Sequence, residues 1–166
     1  MAGVPTPPAA PDRVTAVPRR LRLACALVAA GIVAAMTVVA LLLTESSTGV
    51  VVFGPADQVA MAGLGLFLGA GVLALGRPRV DADAAGVRVR NLLGRAELPW
   101  EAVRAVRFDR GAAWASLDLT NGDELAVVAV QAVDGERAAV AVEGLRALHA
   151  AARARQPAPP PLLYDD

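Results

Sequence analysis

The chain has 166 residues, of which 55% are hydrophobic and only 19% charged, with sixteen basic residues balancing sixteen acidic ones. An ordinary soluble domain is about 45–50% apolar and about 25% charged, so the excess points to membrane-buried segments, and the balance gives no support to a globally basic nucleic-acid binder. Every basic residue is Arg, which excludes lysine chemistry, while one Cys (Cys25) and one His (His149) exclude an intrachain disulfide and a multi-Cys or two-His metal site.

Residues 1–20 open the chain as a Pro-rich segment with little hydrophobic bulk, read as a disordered tail. A helical hairpin is expected over 21–76. From Leu23 to Leu43 run 21 uncharged residues, ten of them Leu, Ile or Val. At about 1.5 Å rise per residue they form a helix of roughly 30 Å, the thickness of a bilayer's hydrocarbon core. A second uncharged run, Gln58 to Gly76, has 19 residues and includes five Gly. Gly is tolerated in a bilayer where helices approach closely, so Gly65 and Gly69 are expected to pack against Ala30 and Ala34, or against Gly31 and Ala35. Arg13, Arg19, Arg20 and Arg22 precede the first span and Arg77 and Arg79 follow the second. The connecting segment, Thr44 to Asp57, has no Arg. By the positive-inside rule both termini are cytoplasmic. A cleaved signal peptide fits less well, because the first apolar run is too long for a typical h-region and a second span follows.

Residues 77–155 are expected to form one small domain with an antiparallel meander. Val80 and Ala82 alternate with Asp81 and Asp83, and Val87 and Val89 alternate with Arg88 and Arg90. Breaks fall at Ala85-Gly86 and at Asn91 to Gly94. Ala96 and Leu98 continue a strand ended by Pro99, and further alternating runs surround Val106 and Leu117. Asn121-Gly122 is a hairpin signal, since both positions accept positive φ. Leu125 to Val130 is apolar on both faces, as in a covered strand. From about Gly135 the period becomes helical, with Ala138, Val142, Leu145, Leu148 and Ala152 on one face and Asp134 as N-cap. Residues 156–166 form a second Pro-rich tail.

Val87-Arg88-Val89-Arg90-Asn91 after a Gly turn, Leu98-Pro99-Trp100 before an apolar strand, and Asn121-Gly122 before Leu125-Ala126-Val127 resemble the pleckstrin-homology (PH) superfold. More closely they resemble bacterial PH-like domains that follow two membrane spans in actinobacterial proteins, the family called low-molecular-weight protein antigen six. The resemblance covers about residues 77–152 and implies fold and membrane location, with no catalytic motif. The fold class is thus α+β: a two-helix transmembrane hairpin, then a PH-like antiparallel β-barrel or sheet with one C-terminal helix.

Arg88, Arg90 and Arg95 near the first hairpin are candidate contacts for a partner or an anionic lipid headgroup, weighed against a solvated strand face. Trp100 and Trp114 read as core, with the Trp100 indole N–H reaching a carbonyl. A Ser116–His149–Asp118 unit lacks a nucleophile elbow and oxyanion hole, and Asp81 and Asp83 lack further oxygen ligands for a cation. No enzyme, cofactor or metal is therefore expected. The expected partners are the bilayer, a membrane or envelope protein, and a second copy of the chain. The expected function is a plasma-membrane protein presenting a cytoplasmic interaction domain. The alternative, a transport or channel component, is opposed by spans without internal charges.

Overall fold

A computed structural model describes residues 11–45 and 54–156. The tails at 1–10 and 157–166, and most of the loop between the apolar runs, lie outside the described residues. The chain divides into two compact units, Pro18–Pro78 and the remainder.

The first unit is a pair of helices, α1 (Arg19–Glu45) and α2 (Pro55–Leu75). Both are long and apolar enough to cross a membrane by length and composition, and only 11% of the residues in each apolar window are buried. Pro55 occupies the first turn of α2, where its missing N–H costs nothing. Asp57 Oδ2 accepts a hydrogen bond from the Gly54 N–H at 2.9 Å, which fixes the helix start. At the other end Arg22 donates from Nε to the Gly76 carbonyl at 2.9 Å.

Gly65 and Gly69 are buried against α1. A Cβ on Gly65 would lie 2.9 Å from Met36 Cβ, and one on Gly69 would lie 3.2 Å from Val33 Cγ2 and 3.5 Å from the Ala29 carbonyl oxygen. The α1 face differs from the expected one. Ala30 and Ala34 are exposed, as are Gly31 and Ala35, whereas Cys25, Ala29 and Ala40 are buried. In an Ala-rich helix several rows have small-residue spacing, and the row beside α2 here also carries Val33 and Met36, which fill the space over the glycines.

Among the described residues the second unit contains seven strands, two short 3₁₀ turns and one α-helix. Sheet A has the order β1 (Arg13–Ala16), β2 (Arg79–Asp83), β3 (Gly86–Arg90) and β4 (Arg95–Pro99). Sheet B has the order β5 (Val103–Arg107), β6 (Trp114–Leu119) and β7 (Glu124–Gln131). All pairs are antiparallel. The strands thus form two sheets, not a closed barrel, and α3 (Glu136–Arg155) packs on them. β1 corrects the expectation of a disordered tail through residue 20. Arg13-Val14-Thr15-Ala16 pairs along β2, and Val14 seats against Gly144 of α3, where a Cβ would come within 2.6 Å of Val14 Cγ2.

The core is made by the inward half of each alternation. Val80, Ala82, Val87 and Val89 from sheet A meet Val106, Leu117, Val127 and Ala129 from sheet B and Ala138, Val142, Leu145 and Leu148 from α3. Each such Val or Leu contributes about 1.5–3 kcal/mol when fully removed from water. Trp100 is fully buried and its Nε1–H donates to the Asp83 carbonyl at 2.8 Å, as expected. Trp114, also expected in the core, is instead 46% exposed at the end of β6.

Two further details depart from expectation. The Asn121-Gly122 turn has positive φ only at Gly122; Gly122 N–H bonds the Leu119 carbonyl and Leu119 N–H bonds the Asp123 carbonyl. This is a three-residue loop with glycine in the left-handed position. The N-cap of α3 is Gly135, at φ 59°, because Asp134 is taken up in the preceding 3₁₀ turn.

Candidate interaction surface

Strand alternation that buries Val80, Val87 and Val89 sends the intervening side chains to the solvent face of sheet A. Register arranges them in cross-strand rows. One row is Thr15, Asp81, Arg88 and Glu97, in which charges alternate in sign. The adjacent row is Arg79, Arg90 and Arg95, three like charges on neighbouring strands.

The mixed row is neutralised, partly within itself and partly by residues on either side of it. Arg79 donates from Nη2 to Asp81 Oδ1 at 2.9 Å and from Nε to the same carboxylate, and the Thr15 hydroxyl donates at 2.8 Å. The Arg79 hydrogen bond is the main reason that the Asp81 carboxyl is held below the usual carboxylate range, with partial burial opposing it. Asp83 is lowered chiefly by the Ala85 backbone N–H, which its Oδ1 accepts at 2.9 Å. Arg88 lies between Asp83 at 3.7 Å and Glu97 at 3.9 Å. Arg90 and Arg95 have no ion pair among the described residues. The three arginines read from the sequence therefore separate: Arg90 and Arg95 lie side by side without an ion pair among the described residues, and Arg88 sits between two carboxylates.

The β3–β4 turn continues from the Arg90–Arg95 pair. Asn91 N–H bonds the Gly94 carbonyl at 2.9 Å and closes the turn. The Asn91 side chain crosses to sheet B, donating from Nδ2 to the Ala126 carbonyl at 2.7 Å and accepting from the Val128 N–H at 3.4 Å. With its stem held this way, the turn presents Leu92 at 51% and Leu93 at 97% exposure. Sequence reading took Asn91 to Gly94 only as a break; the sole available signal was a Leu pair bracketed by Arg.

The remaining chemistry-bearing residues are occupied elsewhere. His149 is buried with Nε2 2.8 Å from the Val103 carbonyl, and its ring lies 5.7 Å from that of Trp100. Asp118 accepts from Arg104 at 3.5 Å and Arg107 at 3.4 Å. The Ser116–His149–Asp118 trio is not brought together by hydrogen bonds, and Ser116 and Asp118 lie on the face of β6 opposite Leu117. Among the described residues no group of three or more His, Cys, Asp or Glu is placed to hold a metal ion.

The order of strands followed by one covering helix is matched by a family model described as "Bacterial PH domain" over residues 77–148. Relatives in Mycobacterium tuberculosis and Mycobacterium bovis, each named only as an uncharacterized protein, are 47% identical over 108 residues, 65% of this chain and 70% of theirs. The chain belongs to the bacterial PH-domain family. The 108-residue similarity is longer than the 77–148 segment, so it takes in residues outside the PH domain itself. The PH-domain match begins after β1, although the strand Arg13–Ala16 pairs with β2 as a member of sheet A. No solved structure matches the chain.

Proposed function

We propose that this protein is a two-span plasma-membrane protein that holds a non-catalytic bacterial PH domain at the cytoplasmic face, where the domain recruits or organises a membrane or envelope partner. One observation carries the reading. The helical pair turns its large apolar side chains outward: Leu27 is 66% exposed, Leu41 60%, Leu66 62% and Phe67 76%. A soluble monomer rarely exposes a contiguous apolar patch beyond a few hundred Å², whereas a bilayer receives such a surface and leaves the small residues to pair the helices.

The arginine-rich flanks and the Arg-free connecting segment support cytoplasmic termini. Tethering supports recruitment because it raises the effective concentration of the domain near membrane partners without tight affinity. Alkaline extraction of native membranes tests the anchor: the full chain is expected to stay in the pellet, and release into the supernatant contradicts it. Cross-linking in the same membranes tests recruitment. Gly86→Asp disrupts the domain, because a Cβ there would overlap the Leu98 carbonyl oxygen; a reproducible adduct that disappears in this variant is the expected result, and no adduct with intact protein contradicts it.

A further inference from the structure

Among the described residues β4 pairs with β3 alone, so its other side is an open edge of sheet A. Antiparallel pairing alternates hydrogen-bonded and non-bonded residue pairs. The phase of that alternation is set at the turn, where the Asn91 N–H bonds the Gly94 carbonyl. Counted from there, Ala96 and Leu98 direct their backbone groups to Val89 and Val87, and Arg95, Glu97 and Pro99 turn theirs to the open edge. The pairing of Pro99 with Gly86 agrees with this phase, because proline has no N–H to give to β3. The side chains of Arg95, Glu97 and Pro99 are exposed, whereas Ala96 and Leu98 are half-buried.

Unpaired N–H and C=O groups along an edge are a template for another strand. An edge guarded against its own copies carries charges of one sign, but β4 carries Arg95 and Glu97 two residues apart, a pattern complementary to its own reversal. For two antiparallel copies of β4, one register satisfies both backbone and charge. With Ala96 opposite the partner's Ala96, Arg95 faces the partner's Glu97 and Glu97 faces the partner's Arg95. Both are pairs of outward-pointing residues, so each exchanges its N–H···O bonds, and opposite charges stand side by side on the solvent face. Registers centred on Arg95 or on Glu97 set like charges opposite each other instead. Within one chain Arg95 lies opposite Arg90 and has no ion pair among the described residues, and Glu97, with its side chain 78% exposed, has Arg88 only at 3.9 Å. Both charges therefore gain a partner from a second copy.

We infer that two copies of the chain join edge to edge through β4, with Arg95 of each against the partner's Glu97, so that sheet A continues across a twofold axis at Ala96. The inference rests on the membrane reading above, because a ladder this short draws on the raised effective concentration of two chains held in one bilayer. Pro99, without an N–H, ends the usable edge and keeps the ladder short.

The test uses the full chain in native membranes, in a Cys25→Ala background, with single cysteines oxidised to disulfides. Ala96→Cys puts the two thiols at the central non-bonded pair, where Cα atoms are about 4.5 Å apart and within disulfide reach. Ala84→Cys, exposed in the β2–β3 turn, measures random collision. The expected result is a disulfide-linked dimer at 96 well above the yield at 84. Added to Ala96→Cys, Arg95→Glu and Glu97→Arg each lower the dimer yield about fivefold, and the two together restore it. Arg95→Glu also sets a carboxylate opposite Arg90, so the domain's Tm is expected to hold or rise while the dimer is lost. Equal yields at 96 and 84 overturn the pairing. So does a double variant that stays as low as the single ones, or an adduct at 96 with a different protein in place of the dimer. Alkaline extraction of the same membranes reads the anchor separately: a pelleted chain without the dimer overturns the β4 pairing and leaves the anchor standing, and a released chain without it overturns both.

Discussion

Asn91→Ala removes the side chain that spans the two sheets while leaving the turn's own backbone bond, Asn91 N–H to Gly94, in place. The bond from Nδ2 to the Ala126 carbonyl is short at 2.7 Å, and the one from the Val128 N–H is long at 3.4 Å. A typical intramolecular hydrogen bond contributes about 0.5–1.5 kcal/mol net, and stranding a buried partner costs about 1–3 kcal/mol. Ala126 and Val128 are half-buried, so water reaches them in part after the substitution. The expected loss is about 1.5 kcal/mol, which for a domain of this size lowers Tm by about 6–12 °C. Both tryptophans of the chain, Trp100 and Trp114, lie in the PH domain. Tryptophan fluorescence of the full chain in detergent therefore reports domain unfolding alone. Asn121→Ala is the control. It also removes two hydrogen bonds, both to Asp123, but at an exposed turn where water replaces them, so its cost stays below about 1 kcal/mol. Equal Tm losses for the two variants would refute the assignment of Asn91 as the inter-sheet clasp.

Gly65→Leu drives a side chain into Met36 and the Val33 backbone, so disulfide cross-linking between cysteines engineered on α1 and α2 is expected to fall several-fold, whereas Ala30→Leu on the exposed face leaves it unchanged. Asp81 supplies a pH signature. Its folded pKa is depressed, so in the acid range the unfolded state binds more protons and stability rises with pH. The contribution is fully present above the ordinary carboxylate pKa of about 3.9 and is lost as pH falls through the lower folded value. Because Arg79 is largely exposed, it amounts to at most about 1 kcal/mol. The stability gap between wild type and Asp81→Asn should be constant above about pH 5 and shrink on acidification below about pH 4; a gap that widens below pH 4 would reverse the sign.

The alternation of Val with Asp or Arg through β2 and β3 was legible because period-two burial is written directly in the residues. So was the helical face from Ala138 to Ala152. β1 was not, since four residues between prolines carry too little pattern and gain their strand only by pairing with β2. The α1 face shifted from Ala30 and Ala34 to the row of Ala29, Val33 and Met36, because composition does not choose among equivalent small-residue rows. Arg88, Arg90 and Arg95 looked alike as alternating outward residues. Only the register, which sets Arg88 beside Asp83 and Glu97 and lines Arg90 and Arg95 up with Arg79, tells them apart. The display of Leu92 and Leu93 depends on a contact from Asn91 to a strand 35 residues later, which no local pattern reveals.

The membrane account is tested most directly by paired topology reporters in living cells, one inserted at Gly54 between the two helices and one fused after Asp166. The account predicts an external signal at Gly54 and a cytoplasmic signal at Asp166. A C-terminal reporter active outside the membrane, or a Gly54 reporter on the cytoplasmic side, would contradict it.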